Sequence, residues 1–351
     1  MQRYALQRLV LIIPFVLFVL YSLFVLTRHF PIDPVLQSLN SQGVDIQNHD
    51  NLLESDIYLT EKVRLGLDRP PFYLSIGPSQ ISRAIPSIRW LGIDNQFHHW
   101  LGKLLTFDFG KAAVDGQDAG HKTLIAVGYT LRYMIPSILL TYVIAILLGL
   151  FIGQKPEHWL RRFISTKLYI ISAVPLFWIA SLCVIYLTTP LYGKWLDIFP
   201  AVDVIVGGHL PVTYYILPIL IVTYHSLAYL TIAVKNLYID QAKSPYITGL
   251  KARGIDPSQI NRKHILLNLM VPLTTLLTKA IPMAVGGSII IEQIFNIPGI
   301  GRLLLKSIQS SDWNVTVPII CLVAVVTVLS YLLADVLYTY FDPRIQSTLE
   351  G

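Results

Sequence analysis

The chain has 351 residues, of which 54% are hydrophobic and 14% charged, with a mean hydropathy of +0.57. Soluble domains carry about 25% charged residues, so this composition excludes an ordinary water-soluble globule and calls for lipid as the solvent. The net charge of +6 comes without any basic motif of the kind that reads a nucleic-acid groove or strand, which argues against nucleic acid as a partner.

A spanning helix needs roughly 20 mostly apolar residues, and six stretches meet or approach that length: 9–26, 133–153, 168–187, 214–234, 269–291 and 315–338. The first, within an N-terminal segment 1–27, reads as an uncleaved anchor. Arg3 and Arg8 would suit a signal peptide, but the apolar stretch is long for one, and Thr27, Arg28 and His29 follow where small residues would mark a cleavage site. Residues 28–128 form the long connection to the membrane core at 129–340. Within it Trp90, Phe97, Trp100, Phe107 and Phe109 imply a small folded region, and the polar stretch 37–56 an extended loop. Cys183 and Cys321 sit in apolar runs without metal-ligand spacing and read as small core residues.

Lys and Arg in short loops set the orientation. The N-terminus, the loop after the second span and the loop 235–268 after the fourth hold twelve of them. The loops of opposite parity hold three: Lys194, Arg302 and Lys306. The expected topology is therefore six spans with the N-terminus, the loop 235–268 and the tail 341–351 in the cytoplasm, and 28–128 outside.

Gly116 to Thr123 (GQDAGHKT) nearly fits a phosphate-binding loop, but His121 replaces the second glycine and no apolar strand precedes it. The segment reads as a loop. Gly299-Ile-Gly301 lacks the strand context of a dinucleotide fingerprint, and the pair His98-His99 is no metal set. No catalytic constellation is present, so the expectation is a chain without catalytic residues, metal or cofactor of its own.

The informative stretch is cytoplasmic. Pro245 suits a helix start, Tyr246 to Arg253 makes one or two turns, and Gly254 suits a left-handed C-terminal position. Asp256 then caps a second helix with Pro257 at its first position; Ile260, His264 and Asn268 recur at four-residue intervals toward the fifth span. A short capped helix between two spans is a docking element. The bland alternative is an amphipathic connector.

This stretch resembles the coupling loop of ABC importer permeases of the dipeptide/oligopeptide/nickel branch, whose pattern is close to Tyr-Val-x-x-Ala-x-Ala-x-Gly-Leu, then His-x-x-x-Asn-x-x-x-Pro. Tyr246-Ile247, Ala252-Arg253-Gly254-Ile255, His264, Asn268 and Pro272 stand at matching spacing; Gly249 and Leu250 depart from it. The likeness extends along the chain through Leu65-Gly-Leu-Asp-Arg-Pro70, Phe107-Asp-Phe-Gly110, Val174-Pro175-Leu-Phe-Trp178, Glu292 to Arg302, Ala334-Asp335 and Tyr340 to Arg344. The resemblance implies an all-α membrane fold of the type I ABC importer permease kind. It also implies a second homologous permease, two ATP-binding subunits and an extracytoplasmic solute-binding protein as partners, with peptides as the solute. Nickel, opines and antimicrobial peptides are alternatives. Coupling to an ATPase then falls to Tyr246, Gly249, Leu250, Lys251, Ala252, Arg253 and Gly254.

Ionisable groups at membrane depth default to function. Lys279 lies near the middle of the fifth span and Glu292 near its end, and both are candidates for the translocation pathway. An ion-coupled secondary transporter would need carboxylates or broken helices at the midplane. A membrane enzyme would need a catalytic cluster. Neither signature is present in the sequence.

Overall fold

A computed structural model describes residues 2–29, 33–41, 56–78, 86–188 and 210–341. The loop with Lys194, the tail from residue 342 and the middle of the polar stretch, 42–55, lie outside the described residues. The described chain is mostly helical, with one two-stranded antiparallel sheet.

Among the described residues four helical runs are long and apolar enough to cross a membrane: Ala119–Gln154, Val212–Ala242, Pro257–Ile294 and Trp313–Tyr338. A bent pair, Trp159–Ala173 with Leu176–Thr188, makes a fifth if it counts as one span. The first helix, α1, covers Gln2–His29; among the described residues its apolar stretch is Val16–Arg28. The described residues thus form a mostly helical protein with four or five candidate membrane spans.

Two local expectations need correction. Residues 168–187 do not form one straight helix, since the two halves meet at 87°. Val174 is extended (ψ 123°) and Pro175 is the N-cap of the second half (ψ 137°). Proline lacks an amide N–H and drives the residue before it out of the α region, so the hydropathy runs through a point that the backbone cannot. The GQDAGHKT segment is a loop only as far as Asp118. From Ala119 it is helical, because the Asp118 carboxylate accepts the His121 amide at 2.7 Å.

The chain divides into two compact units, one of residues 11–124 and 304–322, the other of 1–10, 125–303 and 323–351. The first unit contains α2 (Pro34–Ser41), α3 (Asp56–Arg64), the hairpin β1 (Leu74–Pro78) and β2 (Pro86–Trp90), and α4 (Gln96–Leu105). Asn95 caps α4 through the His98 amide at 2.8 Å. Phe97 and Trp100, both anticipated, join Phe24 and Phe72 in an aromatic cluster with ring centroids 5.2–6.1 Å apart. Trp90 stacks instead on Tyr73, and Phe107 is exposed.

In the second unit, α5 (Ala119–Gln154) packs closely on α8 (Ile216–Ala242). An added Cβ would come within 2.6 Å of Val234 at Gly149 and 2.7 Å of Tyr238 at Gly153. Small residues one turn apart let helix backbones approach where lipid supplies no hydrophobic drive. Between them in the chain lie α6 (Trp159–Ala173) and α7 (Leu176–Cys183), the latter continued by a π turn, Val184–Thr188. Tyr133, Tyr214, Ile291 and Phe295 centre one buried core, and Val234, Ile247, Ile260 and Leu269 a second.

Candidate functional site

After α8 the chain makes a compact excursion before the next apolar run. Ser244 has extended backbone angles and accepts the Ile247 amide, Pro245 takes the first helical position, and α9 runs Pro245–Ala252. The helix ends in a Schellman arrangement: Gly254 has φ +76°, its N–H reaches Lys251 O at 3.0 Å, and Ile255 N reaches Leu250 O at 3.3 Å. Asp256 then accepts the amides of Ser258 at 2.8 Å and Gln259 at 3.2 Å. Pro257–Gln259 opens a new turn that passes through a π segment, Ile260–Ile265, into α10 (Leu266–Gly286). The caps read from Pro245, Gly254, Asp256 and Pro257 therefore have physical counterparts, with Ser244 added to them.

Two side chains hold α9 down. Ile247 is 0% exposed and Leu250 8%, both in the core with Val234, Ile260 and Leu269. Burial of such side chains contributes about 1.5–3 kcal/mol each. Leu250, singled out with the coupling residues, is thus an anchor. Tyr246, Gly249, Lys251, Ala252, Arg253 and Gly254 face outward. The Tyr246 hydroxyl lies 2.8 Å from His264 Nδ1, with the rings edge to face at 5.7 Å. Tyr238 OH donates to Asn261 Oδ1 at 2.8 Å, and Asn268 Nδ2 to Gln241 Oε1 at 3.3 Å. The two halves of the loop, eighteen residues apart at Tyr246 and His264, are tied into one body. No sequence period announced that pair.

Glu292 is elsewhere, on α11 (Ile289–Ile294), and is 0% exposed. Its Oε1 accepts from Thr130 Oγ1 at 2.7 Å and Tyr133 OH at 3.0 Å, and its Oε2 from Arg302 N at 2.7 Å. The last donor belongs to the first turn of α12 (Ile300–Gln309), where a helix offers unpaired amides to an anion. Thr130 Oγ1 in turn accepts Ile300 N at 2.9 Å, and Tyr133 OH accepts Ser288 N at 3.2 Å. Glycines make room for the carboxylate. A Cβ would fall 2.3 Å from Glu292 Cδ at Gly299 and 2.5 Å from Oε1 at Gly287, whose φ is +72°. In this conformation Glu292 braces the protein interior and does not face water. Thr130 and Tyr133, its partners, carry no local signal that would have marked them in the sequence.

Lys279 lies on α10 between the helix prolines Pro272 and Pro282, is exposed, and makes no ion pair among the described residues. The structure does not bring it together with the α9 residues. No group of three or more His, Cys, Asp or Glu side chains suited to a metal occurs among the described residues.

Residues 145–347 match the family of binding-protein-dependent transport system inner membrane components. Across its length the chain is similar to the metal-staphylopine import system permease protein CntB of Staphylococcus aureus, with 26% identity over 349 residues and 99% of each chain covered. It is also similar to the oligopeptide transport system permease protein AppB of Bacillus subtilis, at 29% over 262 residues, covering 72% of this chain and 80% of that one. A putative peptide transport system permease protein of Brucella abortus is 24% identical over 344 residues, with 97% and 98% covered. The family match spans more than half of the chain, includes the capped α9 segment and Glu292 itself, and falls on a multi-span helical protein: the chain belongs to the binding-protein-dependent transport system inner membrane components, the permease subunits of ABC importers, and is a multi-pass transport subunit of the cytoplasmic membrane.

Proposed function

We propose that this permease works with six spans, N-terminus and C-terminus inside, paired with a second homologous permease, two ATP-binding subunits and an extracytoplasmic solute-binding protein. The twelve-to-three distribution of Lys and Arg among the short loops supports the orientation. α1 is taken as the first span and the bent pair as the third. The chain does no bond chemistry, and ATP hydrolysis belongs to the partner subunits.

The observation that carries the reading is α9 itself. It is capped at both ends, pinned by Ile247 and Leu250, and presents Tyr246, Lys251 and Arg253 outward between two apolar runs. Such a rigid knob suits a groove on an ATPase, and its tie to His264 carries motion of the knob directly into the run that follows. Lys279, a cation at membrane depth without a partner in the described chain, fits the wall of a water-filled passage. Glu292 fits a structural brace better than a pathway wall, because it is sealed from water.

The solute is a peptide, in keeping with the oligopeptide and peptide permeases among the relatives. A second reading, a metal chelate, is favoured by the end-to-end likeness to a metal-staphylopine permease. Competition uptake with labelled peptide and labelled metal chelate separates the two.

Replacing Gly254 tests the coupling role. No atom lies within 4 Å of an added Cβ, so the φ of +76° is what a side chain would disturb. The expected result for Gly254→Val is an assembled complex whose solute-stimulated ATP hydrolysis falls while basal hydrolysis stays. Normal stimulated turnover in that complex would remove the coupling role from α9.

A further inference from the structure

The unit of residues 11–124 and 304–322 holds a cavity of about 940 Å³. Pockets for small ligands span roughly 300–1,000 Å³ and combine apolar walls with a few polar groups. Trp100, Leu104 and Val317 supply apolar wall here. The lining carries four cations, Arg28, Arg64, Lys103 and Lys111, and three acids, Asp108, Asp115 and Asp312. Asp115 is paired with Lys122 at 2.7 Å, Asp312 accepts the Ala113 amide at 2.8 Å, and Asp108 accepts the Gly110 amide at 3.2 Å. Of the cations, Arg64 is paired with Glu61. Arg28, Lys103 and Lys111 make no side-chain hydrogen bond or ion pair among the described residues. The Arg28 Nε is buried without an acceptor, and its guanidinium lies over the Phe24 ring at 5.2 Å.

A buried donor left unpaired costs stability that a guest's acceptor would restore, and guanidinium binds carboxylate through two parallel hydrogen bonds. We propose that this cavity is a receiving site for a small carboxylate solute, with Arg28 as the carboxylate anchor and Lys103 and Lys111 as an attracting rim. The proposal rests on the reading of the solute as a peptide and narrows it to one carrying a free carboxyl terminus. Such a site would hold the solute before it enters the membrane passage.

The test uses the whole purified complex in detergent, with Val114→Cys on the cavity wall and Cys183→Ser and Cys321→Ser elsewhere in this chain. The rate at which a charged maleimide labels this chain is measured with a tetrapeptide and with the same tetrapeptide amidated at its C-terminus. The free acid should slow labelling about tenfold, the amide should not, and Arg28→Gln should abolish the difference. Should Arg28→Gln fail to assemble, Lys103→Gln with Lys111→Gln, both exposed, should weaken the protection in its place. Equal protection by acid and amide, or none by either, overturns the site. Import of both peptides into proteoliposomes is measured in parallel. Protection without import leaves the cavity standing and removes the peptide reading, whereas import without protection does the reverse.

Discussion

Glu292 illustrates how a charge is kept in an apolar interior. Taking a carboxylate from water is costly unless its acceptors are filled, and here three donors from two distant parts of the chain meet it. Glu292→Ala would strand the hydroxyls of Thr130 and Tyr133 and the Arg302 amide, each at about 1–3 kcal/mol. The expected outcome is a large loss of assembled complex and a lower unfolding temperature, measured on detergent-purified protein. Gly299→Ala should do the same from the other side, since its methyl would occupy the carboxylate's place. If either variant assembles at wild-type yield with unchanged melting, the brace carries little weight. The conspicuous acid was visible in the sequence, but its surroundings were not: Thr130 lies 162 residues away, and nothing local to it points to Glu292.

At the level of elements, what the sequence disclosed followed how local the cause was. The ends of α9 were legible because Pro245, Gly254 and Asp256 act on their own neighbours. Long apolar runs were legible because a bilayer demands length. The elbow at Val174 and Pro175 is also local in cause, yet the uniform hydropathy on both sides concealed it. The π segment Ile260–Ile265 had no sequence mark at all. α10 poses the sharpest functional question, for it carries Lys279 between two prolines that each delete a helical hydrogen bond. A charge at mid-span costs roughly 2.5–3.5 kcal/mol on insertion scales, and water in a passage would offset it. On that proposal Lys279→Met keeps assembly and basal ATP hydrolysis but slows import of free-carboxylate peptides more than of amidated ones. Failure to assemble would make Lys279 a structural partner of another subunit, and equal wild-type rates for both peptides would leave it without a transport role.

For the whole molecule, the orientation decides which partners can reach which residues. Under the proposed topology α9 faces the ATP-binding subunits and residues 28–128 face the solute-binding protein. Ile93, 66% exposed in a loop before α4, is a convenient reporter. With Ile93→Cys in a chain carrying Cys183→Ser and Cys321→Ser, an impermeant thiol reagent added to intact cells stripped of outer barriers should label it directly. Labelling only after the membrane is opened would invert the orientation.

The Glu292 brace has a further consequence, for the order in which the protein is made. Thr130 and Tyr133 leave the ribosome about 160 residues before their acceptor. Closing so long a loop is entropically unfavourable until the late contacts repay it. Through all of that synthesis the first half of α5 carries hydroxyls with no carboxylate to receive them. A nascent chain stopped short of Glu292 is therefore unfinished at its own beginning, and a membrane protease that samples loosely held helices would meet it as a substrate. Arrival of residues 288–302 closes the two ends of this loop in one step.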